Sequence, residues 1–201
     1  MTDSPLVEAR SISKRFGALA ALTDVDLAIR SGEVLALLGD NGAGKSTFIK
    51  VLSGAHPQSD GELLMDGKPV ALSSPQDAAD LGIATIFQEL ALSENLSIAE
   101  NVFLGRELTH RFLGVPLLRR AAMKRRVKEL LEELDAHISD PEAPVGALSG
   151  GQRQAVAICR ALNLNARLVI MDEPTAALAV AETRKVLQLT RRLADSGRPS
   201  C

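Results

Sequence analysis

Gly39-Asp40-Asn41-Gly42-Ala43-Gly44-Lys45-Ser46 fits the pattern G-x-x-x-x-G-K-[ST]. It lies between the aliphatic run at 34–38 and a stretch in which Phe48, Ile49, Val51 and Leu52 recur at helical spacing until Gly54. That context turns a glycine-rich turn into a phosphate site. Gly42 and Gly44 reach backbone conformations closed to residues with a Cβ, so successive N–H groups can point at phosphate oxygens at the positive end of the following helix. Lys45 adds a cation for the β and γ phosphates, Ser46 offers a hydroxyl to Mg²⁺, and Thr47 continues the run of amides. The competing reading is an ordinary turn with a surface lysine.

Working outward, the run at 34–38 suits a strand buried on both faces of a parallel sheet. Alternation at Val25, Leu27 and Ile29 predicts a half-buried strand over 21–29. Asp66-Gly67 between 63–65 and 68–70 predicts a tight type I′ hairpin. Ser74-Pro75 marks the start of a short helix ending before Gly82, and 83–87 reads as another strand. The next stretch has a helical texture without strand signals: Ser97 and Glu100 make a capping-box pattern, and 123–136 is a charged amphipathic helix. Further helices over 152–164 and 180–194 bracket a strand at 168–171. The fold expected is an α/β core over 5–201 with a mixed sheet, an antiparallel N-terminal β element and a helical insertion at about 89–163.

Composition narrows the partners. The 201 residues carry 23 Lys plus Arg against 25 Asp plus Glu, a net charge of −2, so no global field gathers nucleic acid. With no Trp, no Tyr and five Phe, the composition argues against an aromatic platform for single strands as well. Cys159 and Cys201 do not form a disulfide framework, and His56, His110 and His137 lack ligand spacing. The N-terminus has no secretion-signal pattern and no apolar run approaches bilayer length, which predicts a cytosolic chain. The basic cluster Arg119, Arg120, Lys124, Arg125 and Arg126 reads as a solvated helix face, with membrane headgroups or a partner as the alternative.

Two more segments carry chemistry. Leu168-Val169-Ile170-Met171-Asp172-Glu173 brings two carboxylates to the end of a buried strand, where sheet ligands bind. Asp172 suits Mg²⁺ and Glu173 suits a general base toward water. In Leu148-Ser149-Gly150-Gly151-Gln152, Ser149 and Gln152 form a capping box. The cap leaves the adjacent glycines unexplained, whereas close approach of backbone N–H groups to an anion explains them.

These segments in this order, with Gln88, resemble the nucleotide-binding subunits of ABC transporters over nearly the whole chain. The resemblance implies a head-to-tail pair of nucleotide-binding domains around two ATP molecules. Ser149, Gly150, Gly151 and Gln152 of one would cap the nucleotide held by residues 39–47 of the other, and closure would drive transmembrane permease subunits. It also implies that Phe16 stacks on adenine, its alternative being core packing, and that Gln88 contacts Mg²⁺ and water. The segment from Gln88 to Glu107 is most similar to importers of monosaccharides of the ribose, galactose, xylose and fructose type. A periplasmic sugar-binding protein is then an indirect partner, and the location is the inner face of the membrane. The chain departs from the family in having no histidine beyond Glu173 to contact the γ-phosphate and in carrying Ala179 where Asp is common. A truncated, ATP-binding but non-hydrolytic module is therefore the alternative expectation. A soluble ATPase of translation or DNA repair is a third, opposed by the segment from Gln88 to Glu107 and the neutral charge balance.

Overall fold

The computed structural model describes residues 4–112, 115–136, 138–175 and 180–195. Two compact units result. One runs from the N-terminus to Thr85 and includes Ala166–Asp172 and the chain from Leu193; the other comprises Ile86–Asn165 and Glu173–Arg192.

In the first unit, β1 (Val7–Phe16) pairs antiparallel with β2 (Leu19–Ile29) and with β3 (Asp60–Met65), and β3 pairs with β4 (Lys68–Val70), giving the order β2-β1-β3-β4. Asp66 and Gly67 both take positive φ, 52° and 74°, as the predicted type I′ turn requires. The Arg167 guanidinium donates two hydrogen bonds of 2.7 Å to the Asp66 carboxylate and holds its pKa below the ordinary carboxylate value. Helix α1 (Lys45–Leu52) buries Phe48, Ile49, Val51 and Leu52. Helix α2 (Pro75–Asp80) starts at the predicted Ser74 cap, closed reciprocally by Asp77. Strand β5 (Ile83–Ile86) pairs with β8 (Leu168–Met171) in a two-stranded sheet. Ile12, Ile29, Val51, Leu52, Leu63, Leu168 and Ile170 form the centre of an aliphatic core.

Residues 34–38 correct the sequence reading. Apart from a bridge at Val34 they form no strand, and Leu38 is 87% exposed. Leu35 and Leu37 pack on the core while Val34, Ala36 and Leu38 face out, so the segment is half-buried, not buried on both faces. A parallel strand needs neighbours to bond, and the described residues supply no continuous one here.

In the second unit, α3 (Ile98–Phe103), α4 (Arg120–Glu133) and α5 (Gly150–Asn163) pack on one another around Ile98, Val127, Leu130, Ile158 and Leu162. Asn101, fully buried, accepts from the Ser93 amide and donates to the carbonyls of Ser93, Leu96 and Ser97, which fixes the chain entering α3. Helix α6 (Val180–Asp195) buries Val186 and Leu189. The expectation of a strand-free insertion is corrected: β6 (Thr109–Phe112) and β7 (Val115–Leu118) form an antiparallel hairpin within it. Pairing, not alternation, makes these strands, since 115–118 is Val-Pro-Leu-Leu.

Of the basic cluster, Lys124 pairs with Glu142 and Arg126 with Glu129, as a solvated helix face would. Cys159 is buried in α5, and burial pushes its thiol up to about 12. His137, residues 176–179 and Cys201 lie outside the described residues.

Candidate functional site

The glycine loop opens α1 with Gly44 as the N-cap, at φ 88°. Helices α2, α3 and α5 each close their first turn with a serine capping box. Helix α1, like α4, has no side-chain cap and no acid in its first turn, which leaves its first amides without an internal side-chain acceptor. Gly42, at φ 87°, has open space around the missing Cβ. At Gly44 a Cβ would lie 2.7 Å from the Ala21 carbonyl oxygen and from Leu22 Cδ2, so only glycine fits. Lys45 Nζ donates to the carbonyls of Gly39 (2.5 Å) and Asp40 (2.8 Å), folding the ammonium over the loop. An ammonium has three donors, which leaves one for a ligand oxygen. Ala43 N–H donates to the Asp40 carbonyl, closing the loop around Asn41. The Ser46 side chain is exposed at the helix start. This donor set suits a polyphosphate.

Asp172 follows β8 directly in the same unit and is half-buried. Glu173 is exposed and holds φ 49°. A non-glycine residue in that region costs on the order of 1–3 kcal/mol, a strain that concentrates at functional sites.

In the second unit, Gln88 is exposed in the bend after β5. The two residues beyond Glu89 are tethered by an arginine that the sequence reading did not single out. Arg160, on α5, donates to the carbonyls of Leu90 (2.9 Å) and Ala91 (2.8 Å), and burial lowers its pKa. Ser149 caps α5 at the Gln152 amide, and the Gln152 side chain accepts from the Ser149 amide at 3.0 Å. Arg153 secures the preceding turn through the carbonyls of Leu148 and Gly146 and the Glu94 carboxylate. A carboxylate already meets the start of α5: Gly151 N–H donates to Glu182 Oε1 at 3.5 Å. Beside this contact lies a cavity of about 350 Å³ lined by Ser149, Gly151, Gln152, Lys185, Leu189 and Arg192, among others. Neither Arg160 nor Glu182 carries a local signal, because each partner lies far away in sequence.

Phe16, at the end of β1, is 44% exposed and so is not a core residue. Its ring meets His56 edge-on at 5.4 Å, and Lys14 Nζ stands 5.1 Å from its centroid. The exposed ring is thus engaged by His56 and by the Lys14 ammonium.

A glycine loop opening an uncapped helix, on an α/β unit whose strand β8 runs directly into Asp172, defines a P-loop nucleotide-binding protein. The family model for the ABC transporter domain matches residues 22–176, and the chain belongs to that family. It is 50% identical over 194 residues to the xylose/arabinose import ATP-binding protein XylG of Sulfolobus acidocaldarius, covering 96% of this chain and 76% of that protein. It is 50% identical over 193 residues to the ribose import ATP-binding protein RbsA 1 of Rubrobacter xylanophilus, covering 96% of this chain but 38% of the relative. With the fructose import ATP-binding protein FrcA of Rhizobium meliloti it shares 45% identity, over 99% of this chain and 78% of the relative. Among solved structures, a nucleotide-free ATP-binding cassette from an ABC transporter superposes with TM-score 0.81 at 26% identity, over 98% of this chain and 79% of the other. The ADP conformation of the cassette MJ1267 gives 0.81 at 28% identity, over the same shares.

Proposed function

We propose that this chain is the ATP-binding and ATP-hydrolysing subunit of an ABC importer, coupling turnover to uptake of a monosaccharide through separate transmembrane subunits. The observation that carries the reading is the loop at 39–46 with its uncapped helix and the spare donor on Lys45. The likeness to sugar-import ATP-binding proteins supports the importer and sugar assignments.

In this reading the amides of Gly42, Ala43, Gly44, Lys45, Ser46 and Thr47 cradle the phosphates, with Asp40 and Asn41 shaping the loop and Phe16 against the base. Mg²⁺ would be held by Ser46, Asp172 and Gln88, and when bound it neutralises phosphate charge. Glu173 takes a proton from the attacking water. Ser149, Gly150, Gly151 and Gln152 face the nucleotide of a second, head-to-tail copy or homologue, for which Glu182 would have to release Gly151. Gln88 lies two residues before the Leu90-Ala91 segment that Arg160 ties to α5. Among the described residues no helix is long and apolar enough to cross a membrane, so the translocation path belongs to other subunits in this reading. A periplasmic sugar-binding protein supplies the cargo from outside.

Calorimetry with MgATP tests this. Lys45→Ala should weaken binding by about tenfold to a hundredfold, the worth of one charge-assisted hydrogen bond of ~1.5–3 kcal/mol. Glu173→Gln should keep binding but cut phosphate release by at least about a hundredfold, the usual share of a general base. Unchanged affinity in Lys45→Ala removes the phosphate-loop assignment. Binding without phosphate release in the parent chain makes it an ATP-binding module that does not turn over.

A further inference from the structure

The hairpin β6–β7 pairs only with itself among the described strands, and its described side chains are exposed on both faces. An isolated two-stranded hairpin is marginal in water, and this one displays apolar groups: Val115 is 57% exposed, Leu118 46% and Leu117 43%, with Leu104 and Leu108 exposed at its base. The register pairs His110 with Leu117 and Thr109 with Leu118, and the Arg119 amide donates to the Leu108 carbonyl, extending the ladder. Leu108, Val115 and Leu117 therefore share one face with Arg119, while Arg111 and Leu118 share the other.

Charge decides the occupant. Residues 104–120 hold Arg106, Arg111, Arg119 and Arg120 against Glu107 alone, a local excess of three positive charges in a chain whose net charge is −2. Arg111 and Arg119 are exposed and make no side-chain ion pair among the described residues, unlike Lys124 and Arg126 on α4. Leucines and valine interleaved with Arg111 and Arg119 match the acyl–headgroup boundary of an anionic bilayer. Apolar groups enter the boundary there, and each arginine near the surface strengthens partitioning about fivefold. We infer that the β6–β7 hairpin is a lipid-contact element through which this chain touches an anionic membrane surface directly. This inference is independent of nucleotide binding.

The test is sedimentation of the full chain with vesicles of phosphatidylcholine alone or mixed with phosphatidylglycerol. The chain should sediment with the anionic vesicles, poorly with the neutral ones, and less as salt rises. Arg111→Gln with Arg119→Gln should lower partitioning about thirtyfold, and Val115→Ser with Leu117→Ser about tenfold or more. The matched control Arg184→Gln with Lys185→Gln, on α6, should leave it unchanged. All these positions are exposed, and far-ultraviolet circular dichroism confirms folding. Equal partitioning on both vesicle types, no partitioning, or an equal loss in the α6 control would overturn the inference. Concentration-dependent self-association abolished by the hairpin substitutions would also overturn it, by making a second copy the occupant.

Discussion

A methyl group on Gly44 would meet the Ala21 carbonyl oxygen and a Leu22 methyl at 2.7 Å, whereas one on Gly42 would meet nothing within 4 Å. Both residues sit near φ 90°, so alanine at either incurs the left-handed penalty of about 1–2 kcal/mol. Only Gly44→Ala adds a clash with backbone, of the kind that costs roughly another 1–3 kcal/mol. At about 2–4 °C per kcal/mol for a chain of this size, Gly42→Ala should lower the thermal midpoint by a few degrees and Gly44→Ala by roughly 5–15 °C. Thermal melts followed by circular dichroism compare the two. Equal midpoints would show that Ala21 and Leu22 yield, and that Gly44 is required by its φ alone. Cys159 shows the opposite use of burial: its thiol stays protonated through neutral pH and belongs to the packing of α5, not to the chemistry.

Among the elements, those specified by adjacent residues were legible in the sequence and those specified by distant partners were not. The Asp66-Gly67 turn and the serine starts of α2, α3 and α5 depend on two to four consecutive residues, and the structure has each of them. Strand β1 gave no signal because its register shifts between Ala9 and Ile12, so the buried residues Val7, Ala9 and Ile12 fall out of phase with simple alternation. The hairpin hid for a related reason, Pro116 and Leu117-Leu118 breaking any period of two. The candidate site divides the same way. The loop at 39–46 and the pair Asp172-Glu173 were readable, while Glu182, 31 residues from Gly151, and Arg160, 69 residues from Ala91, were not. The caps of α3 and α5 also separate stability from function. Ser97→Ala and Ser149→Ala each remove a capping hydroxyl and should cost about 1 kcal/mol, or 2–4 °C. Only Ser149→Ala should reduce the mass increase seen by light scattering when MgATP is added to a hydrolysis-blocked Glu173→Gln background. An equal effect of Ser97→Ala would make the start of α5 a cap and nothing more.

At the scale of the whole molecule, the exposed side of residues 34–38 governs how chains behave toward one another. Val34, Ala36 and Leu38 present apolar side chains from a segment with one bridge for pairing, and among the described residues its remaining backbone groups form no ladder. Backbone groups left outside a ladder beside apolar side chains offer a place for another chain to pair. A net charge of −2 over 201 residues gives little repulsion to oppose it. The chain should therefore show a mass that rises with concentration in sedimentation velocity. Leu38→Lys places a charge where two edges would meet, the device by which exposed strands are kept apart. Because Leu38 is 87% exposed, the substitution should shift stability by no more than about 0.5 kcal/mol. The variant should stay at the monomer mass over the concentration range in which the parent associates, with its melting curve superimposable. If association persists in Leu38→Lys, the contact lies elsewhere, and the same experiment on Val115→Ser with Leu117→Ser shows whether the hairpin supplies it.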